Sequence, residues 1–166
     1  YLPPRTTPYD PETGKSEPNF SYGYVAEAVE VEVDIETGQI QVVNVICADD
    51  VGKAVNPQQV QGQIEGAVVQ AAGYGILENF VQKDGMPLTK TLSTYLIPTV
   101  LDVPGRVESV ILEYPDPIGP FGARGMGEMP YLPFVPALVS ALHNASGRWF
   151  DQFPLIPERV LEGLSS

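Results

Sequence analysis

Residues Val29 to Ile35 read Val-Glu-Val-Glu-Val-Asp-Ile, and this alternation is the strongest constraint on the fold. Apolar and charged side chains in strict turn call for a strand with one face buried and the other in water. Glu36-Thr37-Gly38-Gln39 supplies a turn, and Ile40 to Ala48 returns as a second β-rich run. The two runs are expected to pair as a hairpin. Five acids fall between Glu27 and Glu36 and are expected along the solvated face. A sheet buried on one side needs an apolar layer laid over it.

Two helices are expected to provide that layer. Asn56 is a good N-cap, Pro57 suits the first helical position, and Gln59 can complete a capping box. This helix should run from Pro57 to about Leu77. A second should cover Tyr131 to Asn144, ended by Ser146-Gly147, with Pro133 and Pro136 disturbing its first turn. A turn around Lys83-Asp84-Gly85 and a strand over Val107 to Tyr114 lie between them. The fold class expected is α+β: one layered domain with antiparallel β-hairpins and two main helices. Residues 1–19 are proline-rich with little apolar periodicity and read as an extended arm, which leaves 20–166 as the domain.

At 166 residues the chain is long enough to bury a core as one domain. Its net charge of −12 argues against nucleic-acid binding, which depends on Lys and Arg neutralising phosphates. No apolar run reaches the ~18–20 residues of a membrane span, and no secretory leader opens the chain. It begins on Tyr1 rather than Met, as expected of a processed product or a piece of something larger. The single cysteine, Cys47, excludes an internal disulfide, a Cys-ligated zinc site and an iron–sulfur cluster held by this chain alone. It lies in an apolar run and is expected to be a small core residue in a reducing, cytoplasmic setting.

Two glycine-rich stretches carry the functional signal. In Gly119-Pro120-Phe121-Gly122-Ala123-Arg124-Gly125-Met126-Gly127-Glu128-Met129-Pro130, four glycines and an arginine surround one glutamate just ahead of a helix. Missing Cβ atoms let a backbone approach a ligand closely. The second stretch lies on the first helix. At roughly 100° per residue, Gly62, Gly66 and Gly73 fall within about 40° of one another, and Gln59, Gln63 and Gln70 form an adjacent stripe of the same width. Each interior glycine costs up to ~1 kcal/mol against alanine, so the stripe needs compensation. Tight packing on a neighbour would provide it, with the glutamines in water. A polar ligand lodged between the two stretches would also provide it, and their pairing favours the ligand. Arg124 is a candidate for positioning a substrate, or alternatively for a loop-ordering salt bridge. His143 and Trp149 are expected to serve packing.

The string Gly62-Gln63-Ile64-Glu65-Gly66-Ala67-Val68-Val69-Gln70, the preceding Asp50-Val51-Gly52 and Asn56-Pro57, the Ser93-Thr94-Tyr95 with Ile97-Pro98, and Gly127-Glu128-Met129-Pro130 resemble the xanthine dehydrogenase/aldehyde oxidase family. More narrowly, they are similar to the C-terminal part of its molybdenum-cofactor-binding subunit. Tyr22-Gly23 through Asp34 and Thr37-Gly38 fit as well, so the likeness covers most of residues 20–163 in order.

The resemblance implies an oxidoreductase component that hydroxylates an aldehyde or N-heterocycle with oxygen from water. It implies Glu128 as the general base, and Gln63, Gly66, Gln70 and Gly127 as cofactor-binding positions. The cofactor implied is molybdenum–molybdopterin, expected in a dinucleotide form, with the metal held through the pterin dithiolene and by no protein ligand. Iron–sulfur and FAD groups are expected only on partner chains or domains, beside the remainder of the molybdenum subunit. Alone, the chain is expected to be inactive. A carboxylate just ahead of a helix N-terminus is helped to stay ionised, while partial burial raises its basicity. The competing reading is a non-catalytic interaction module that retains the fold and binds a partner through its arm.

Overall fold

The computed structural model describes residues 1–165. The expected hairpin forms from β1 (Tyr24–Val33) and β2 (Ile40–Asp50), antiparallel and in register from Val33↔Ile40 to Tyr24↔Asp50. The turn between them works because Gly38 takes φ +76, and a Cβ there would stand 2.3 Å from the carbonyl oxygen of Pro157. Val43 is an extra residue opposite the Glu30/Val31 step, so the buried parity of β2 changes from Ile40 and Val42 to Val45, Cys47 and Asp49.

A short hairpin, β3 (Gln82–Lys83) and β4 (Met86–Pro87), closes around the expected Asp84-Gly85 turn. Strand β5 (Arg106–Leu112) lies parallel to β2 along Asn44–Asp50, giving the sheet order β1-β2-β5.

Both main helices pack on one face of this sheet. Helix α1 (Pro57–Ala72) starts as expected, with Asn56 Oδ1 accepting from the Gln59 backbone N–H at 3.1 Å. Its last turn widens to π geometry over Gly73–Leu77, so the helical course ends at the expected Leu77. Helix α2 (Tyr131–Ser146) stops at Gly147, whose left-handed conformation lets its N–H reach the His143 carbonyl at 2.7 Å. Val68, Ala71 and Ala72 of α1 meet Phe134, Leu138 and Leu142 of α2 over Val42 and Val45 of the sheet. Among the described residues no helix is long and apolar enough to cross a membrane.

A third helix, α3 (Pro157–Ser165), adds to the two expected. It is short, and its apolar stripe amounts to Val160, Leu161 and Leu164, too few residues for a periodic signal. Buried Val160 and Leu155 join it to the main core.

One of the five acids departs from the expected solvated row. Glu30 and Glu32 face water, but Glu27 shares parity with Val29, Val31 and Val33 and points under the helices. Cys47 is fully buried as expected, though its thiol donates to Asp49 Oδ2 at 2.9 Å. His143 stacks on Trp149 at 3.9 Å between ring centroids, which gives both aromatic rings the packing role expected of them. Residues 1–19 are exposed apart from Pro4 and fold back through Thr7 N–H to the Glu17 carbonyl at 3.0 Å.

Candidate active site

The glycine-rich loop is mounted on the end of β2. Arg124 N–H donates to the Val51 carbonyl at 2.9 Å, Lys53 N–H to the Gly122 carbonyl at 2.7 Å, and Gly52 pairs with Ala123. The side chain of Arg124 completes the mounting. Its Nη1 lies 2.7 Å from Asp50 Oδ2 and its Nε 3.2 Å from Asp116 Oδ2, with the guanidinium 5.3 Å from the Tyr24 ring centre. The Arg124 side chain is 10% exposed. Of the two roles left open for this residue, the geometry is that of a loop-ordering ion pair.

Asp116 is itself held well. Its carboxylate accepts from the backbone N–H of Ile118 and Gly119 at 2.9 and 2.6 Å and from Ser21 Oγ at 2.9 Å. The Ile118 bond foremost, with the Ser21 and Gly119 bonds and the Arg124 charge, lowers its pKa below the ordinary value.

From that mount the loop runs back across α1. Gln70 Nε2 donates to Glu128 Oε1 at 3.2 Å, joining residues 58 apart in sequence. Gln63 Oε1 lies 3.7 Å from where a Cβ on Gly127 would stand. Glu128, Gly127, Gly125, Gln63, Gln70 and Gly66 are all exposed on this side. Nothing comes within 4 Å of a Cβ built on Gly62, Gly66 or Gly125, so the surface beside the carboxylate is open and unobstructed. Gly73 behaves differently from the other two glycines of its stripe. A Cβ there would meet Glu78 Oε1 at 2.4 Å and Pro98 at 2.7 Å, so this position is packed. Of the two compensations considered for the stripe, packing on a neighbour occurs at Gly73, whereas Gly62 and Gly66 lie on open surface.

Three residues grouped around the start of α2 belong to no motif in the sequence. Glu78, just beyond the π turn, accepts a short hydrogen bond from the Tyr95 hydroxyl. Tyr131 opens α2, and its pKa is raised by burial first and then by the charges of Tyr74, Glu78 and Glu128. Its place three residues after Glu128 on a helix is the one cue that points to it. Tyr74 lies 6.1 Å from the Tyr131 ring and 6.2 Å from Phe153.

The donor set suits a flat, polar, hydrogen-bonding ligand. Amides on one wall can donate and accept without charge, and the opposite wall offers backbone with no Cβ in the way. Among the described residues no group of three or more His, Cys, Asp or Glu side chains comes together as a metal site.

The family profile of the molybdopterin cofactor-binding domain matches residues 3–104. The chain is 38% identical over 159 residues to a probable xanthine dehydrogenase subunit of Bacillus subtilis, covering 96% of this chain and 21% of that protein. Its fold superposes with a TM-score of 0.86 on aldehyde oxidoreductase from Desulfovibrio gigas, at 33% identity, covering 97% of this chain and 17% of the other. Quinoline 2-oxidoreductase from Pseudomonas putida 86 matches with a TM-score of 0.76 at 36% identity, over 82% of this chain and 18% of that one. The chain thus spans about a fifth of the length of the relatives it matches.

Proposed function

The chain belongs to the molybdopterin cofactor-binding domain family, and from that premise we propose that it supplies the general base and one wall of the cofactor site in a molybdenum hydroxylase. The observation that carries the proposal is the Gln70–Glu128 hydrogen bond, which sets a carboxylate against a row of amides on an open, glycine-lined surface. When bound, the cofactor supplies the oxygen nucleophile and takes up the electrons.

The chain's own residues do the rest. Glu128 accepts the proton that the attacking oxygen must lose, a role typically contributing on the order of 10²–10⁴ in rate. Gln70 holds the carboxylate by one oxygen and leaves the other free for that proton. Gln63 and the Gly127 backbone would hold the pterin, and Gly66 would leave room for it. Arg124 serves the substrate indirectly, by fixing the loop that carries Glu128.

The remaining wall comes from the rest of the molybdenum subunit, and iron–sulfur and flavin groups sit on partner chains or domains. Substrates of the assembled enzyme are aldehydes or N-heterocycles, in line with relatives named aldehyde oxidoreductase and quinoline 2-oxidoreductase. By itself the chain is inactive.

The test is Glu128→Gln in the native assembly, with metal and pterin content measured beside turnover. Full cofactor content with turnover abolished is expected, and near wild-type turnover would refute the base. If neither partner subunits nor molybdenum accompany the native protein, the chain is a non-catalytic interaction module instead.

A further inference from the structure

Beneath the loop's mount lies a group of buried polar side chains that the proposed chemistry does not use. Glu27 on β1 stands directly across from Cys47 on β2, and Asp49 is the next inward residue along β2. Cys47 and Asp49 are both 0% exposed. The thiol uses its one proton on Asp49 Oδ2, so Asp49 Oδ1 and both Glu27 oxygens are buried with no hydrogen-bond partner. Ser109 of β5, in register with Cys47, adds a buried hydroxyl that is also unpartnered.

Among the described residues no cation acts on these acids. The groups acting on Glu27 are Cys47 and Asp49, and the group acting on Asp49 is Cys47. The helices over the sheet bring buried apolar residues, Ile64, Ala67 and Val68 from α1 and Phe134, Leu138 and Leu142 from α2. Two carboxylates in such surroundings cannot both be ionised without leaving uncompensated buried charge. Burial pushes Glu27 up to about 7 and raises Asp49 as well.

The strands that hold these acids are the same ones that hold the loop. Asp50, next to Asp49, binds Arg124 at 2.7 Å. Gly23, four residues before Glu27, abuts Met129, and a Cβ on it would stand 2.1 Å from that sulfur.

We propose that Glu27, Cys47 and Asp49 form a proton-dependent latch under the glycine-rich loop. With a proton retained between the carboxyls, the ends of β1 and β2 stay closed and the loop stays docked. When solvent base removes that proton, the buried charge drives the strand ends apart and releases the loop, Glu128 with it. The latch does not depend on Glu128 acting as a base, so either assignment can fail without the other.

Two measurements on the full chain test it. Infrared spectroscopy at neutral pH is expected to show a protonated carboxylic acid, because Glu27 and Asp49 hold carboxyl oxygens that are buried and unpartnered, and burial raises both. Absence of that band in the wild type overturns the latch and requires no variant. Hydrogen exchange of amides 122–130, corrected for intrinsic base catalysis, is expected to accelerate by up to about tenfold per pH unit as pH rises from the ordinary carboxyl range towards about 7, and to level off above it. In the isosteric pair Glu27→Gln with Asp49→Asn that excess acceleration should vanish. Equal pH dependence in the pair and the wild type would also sink the proposal.

Discussion

Glu128 and Gln70 meet across 3.2 Å between the glycine-rich loop and the middle of the molecule's longest helical course. Among the described residues Gln70 is the hydrogen-bond donor to Oε1, and on the proposed reading the other oxygen, Oε2, is the one that takes up the proton.

Replacing Gln70 by Ala should therefore weaken catalysis without abolishing it. One such bond is worth about 1 kcal/mol, or about a fivefold loss in turnover. Metal content should hold while steady-state turnover of the native assembly falls. Unchanged turnover would mean that Gln70 does not act on the base.

Arg124→Met should lower the melting temperature and loosen the loop. It leaves the carboxylates of Asp50 and Asp116, each about one-tenth exposed, without their shared cation. Arg124→Lys should rescue little, because a single ammonium cannot reproduce the two-sided guanidinium fork. Thermal unfolding followed by circular dichroism compares the two, and full rescue by Lys would count against the geometry.

Acid should release the same loop through Asp116. Hydrogen bonding, chiefly from the Ile118 N–H, lowers its folded pKa below the ordinary 3.8. A depressed carboxyl contributes stability that is complete above the unfolded value and is lost as pH falls through the folded one. Asp116→Asn should remove that acid-dependent part of the unfolding curve, and an unchanged acid limb would disprove the link. Glu27 acts in the opposite sense, since its raised folded value makes its contribution fade as pH rises towards about 7.

Gly38→Ala should be clearly more damaging than Gly85→Ala. Both glycines have φ +76, but a Cβ on Gly85 meets nothing within 4 Å, whereas one on Gly38 strikes the Pro157 carbonyl at 2.3 Å. Backbone strain alone is worth about 1–3 kcal/mol at either site, so the difference between the variants isolates the clash. Denaturant midpoints measure it, and equal midpoints would show that α3 yields without resistance.

What can be read from the residues is local. Val-Glu-Val-Glu-Val-Asp-Ile announces β1, Asn56-Pro57 announces α1, and Gly147 announces the end of α2, because each signal lies within a few residues of its effect. The parallel docking of β5 on β2 joins segments some 60 positions apart, and nothing in either strand names its partner. Composition groups Glu27 with its acidic neighbours, whereas its parity with Val29 and Val31 gives the better answer. At the site, the sequence marks Glu128 and the glutamine stripe as candidates, and the fold brings Gln70 against Glu128. The ion pairs of Arg124 are with Asp50 and Asp116, which lie 74 and 8 residues away from it, and the first of these has no local signal.

The extra residue Val43 marks the point where the sheet changes width. Towards Gly38 the hairpin is a two-stranded ribbon, whereas β5 pairs with β2 from Asn44 to Asp50, led in by the Gly105 N–H bond to the Val42 carbonyl at 3.0 Å, and braces its second edge. Stiffness therefore rises along the strand towards Asp50. The carboxylate-bearing loop is anchored to the rigid end, and bending or twisting of the far turn dies out before reaching it.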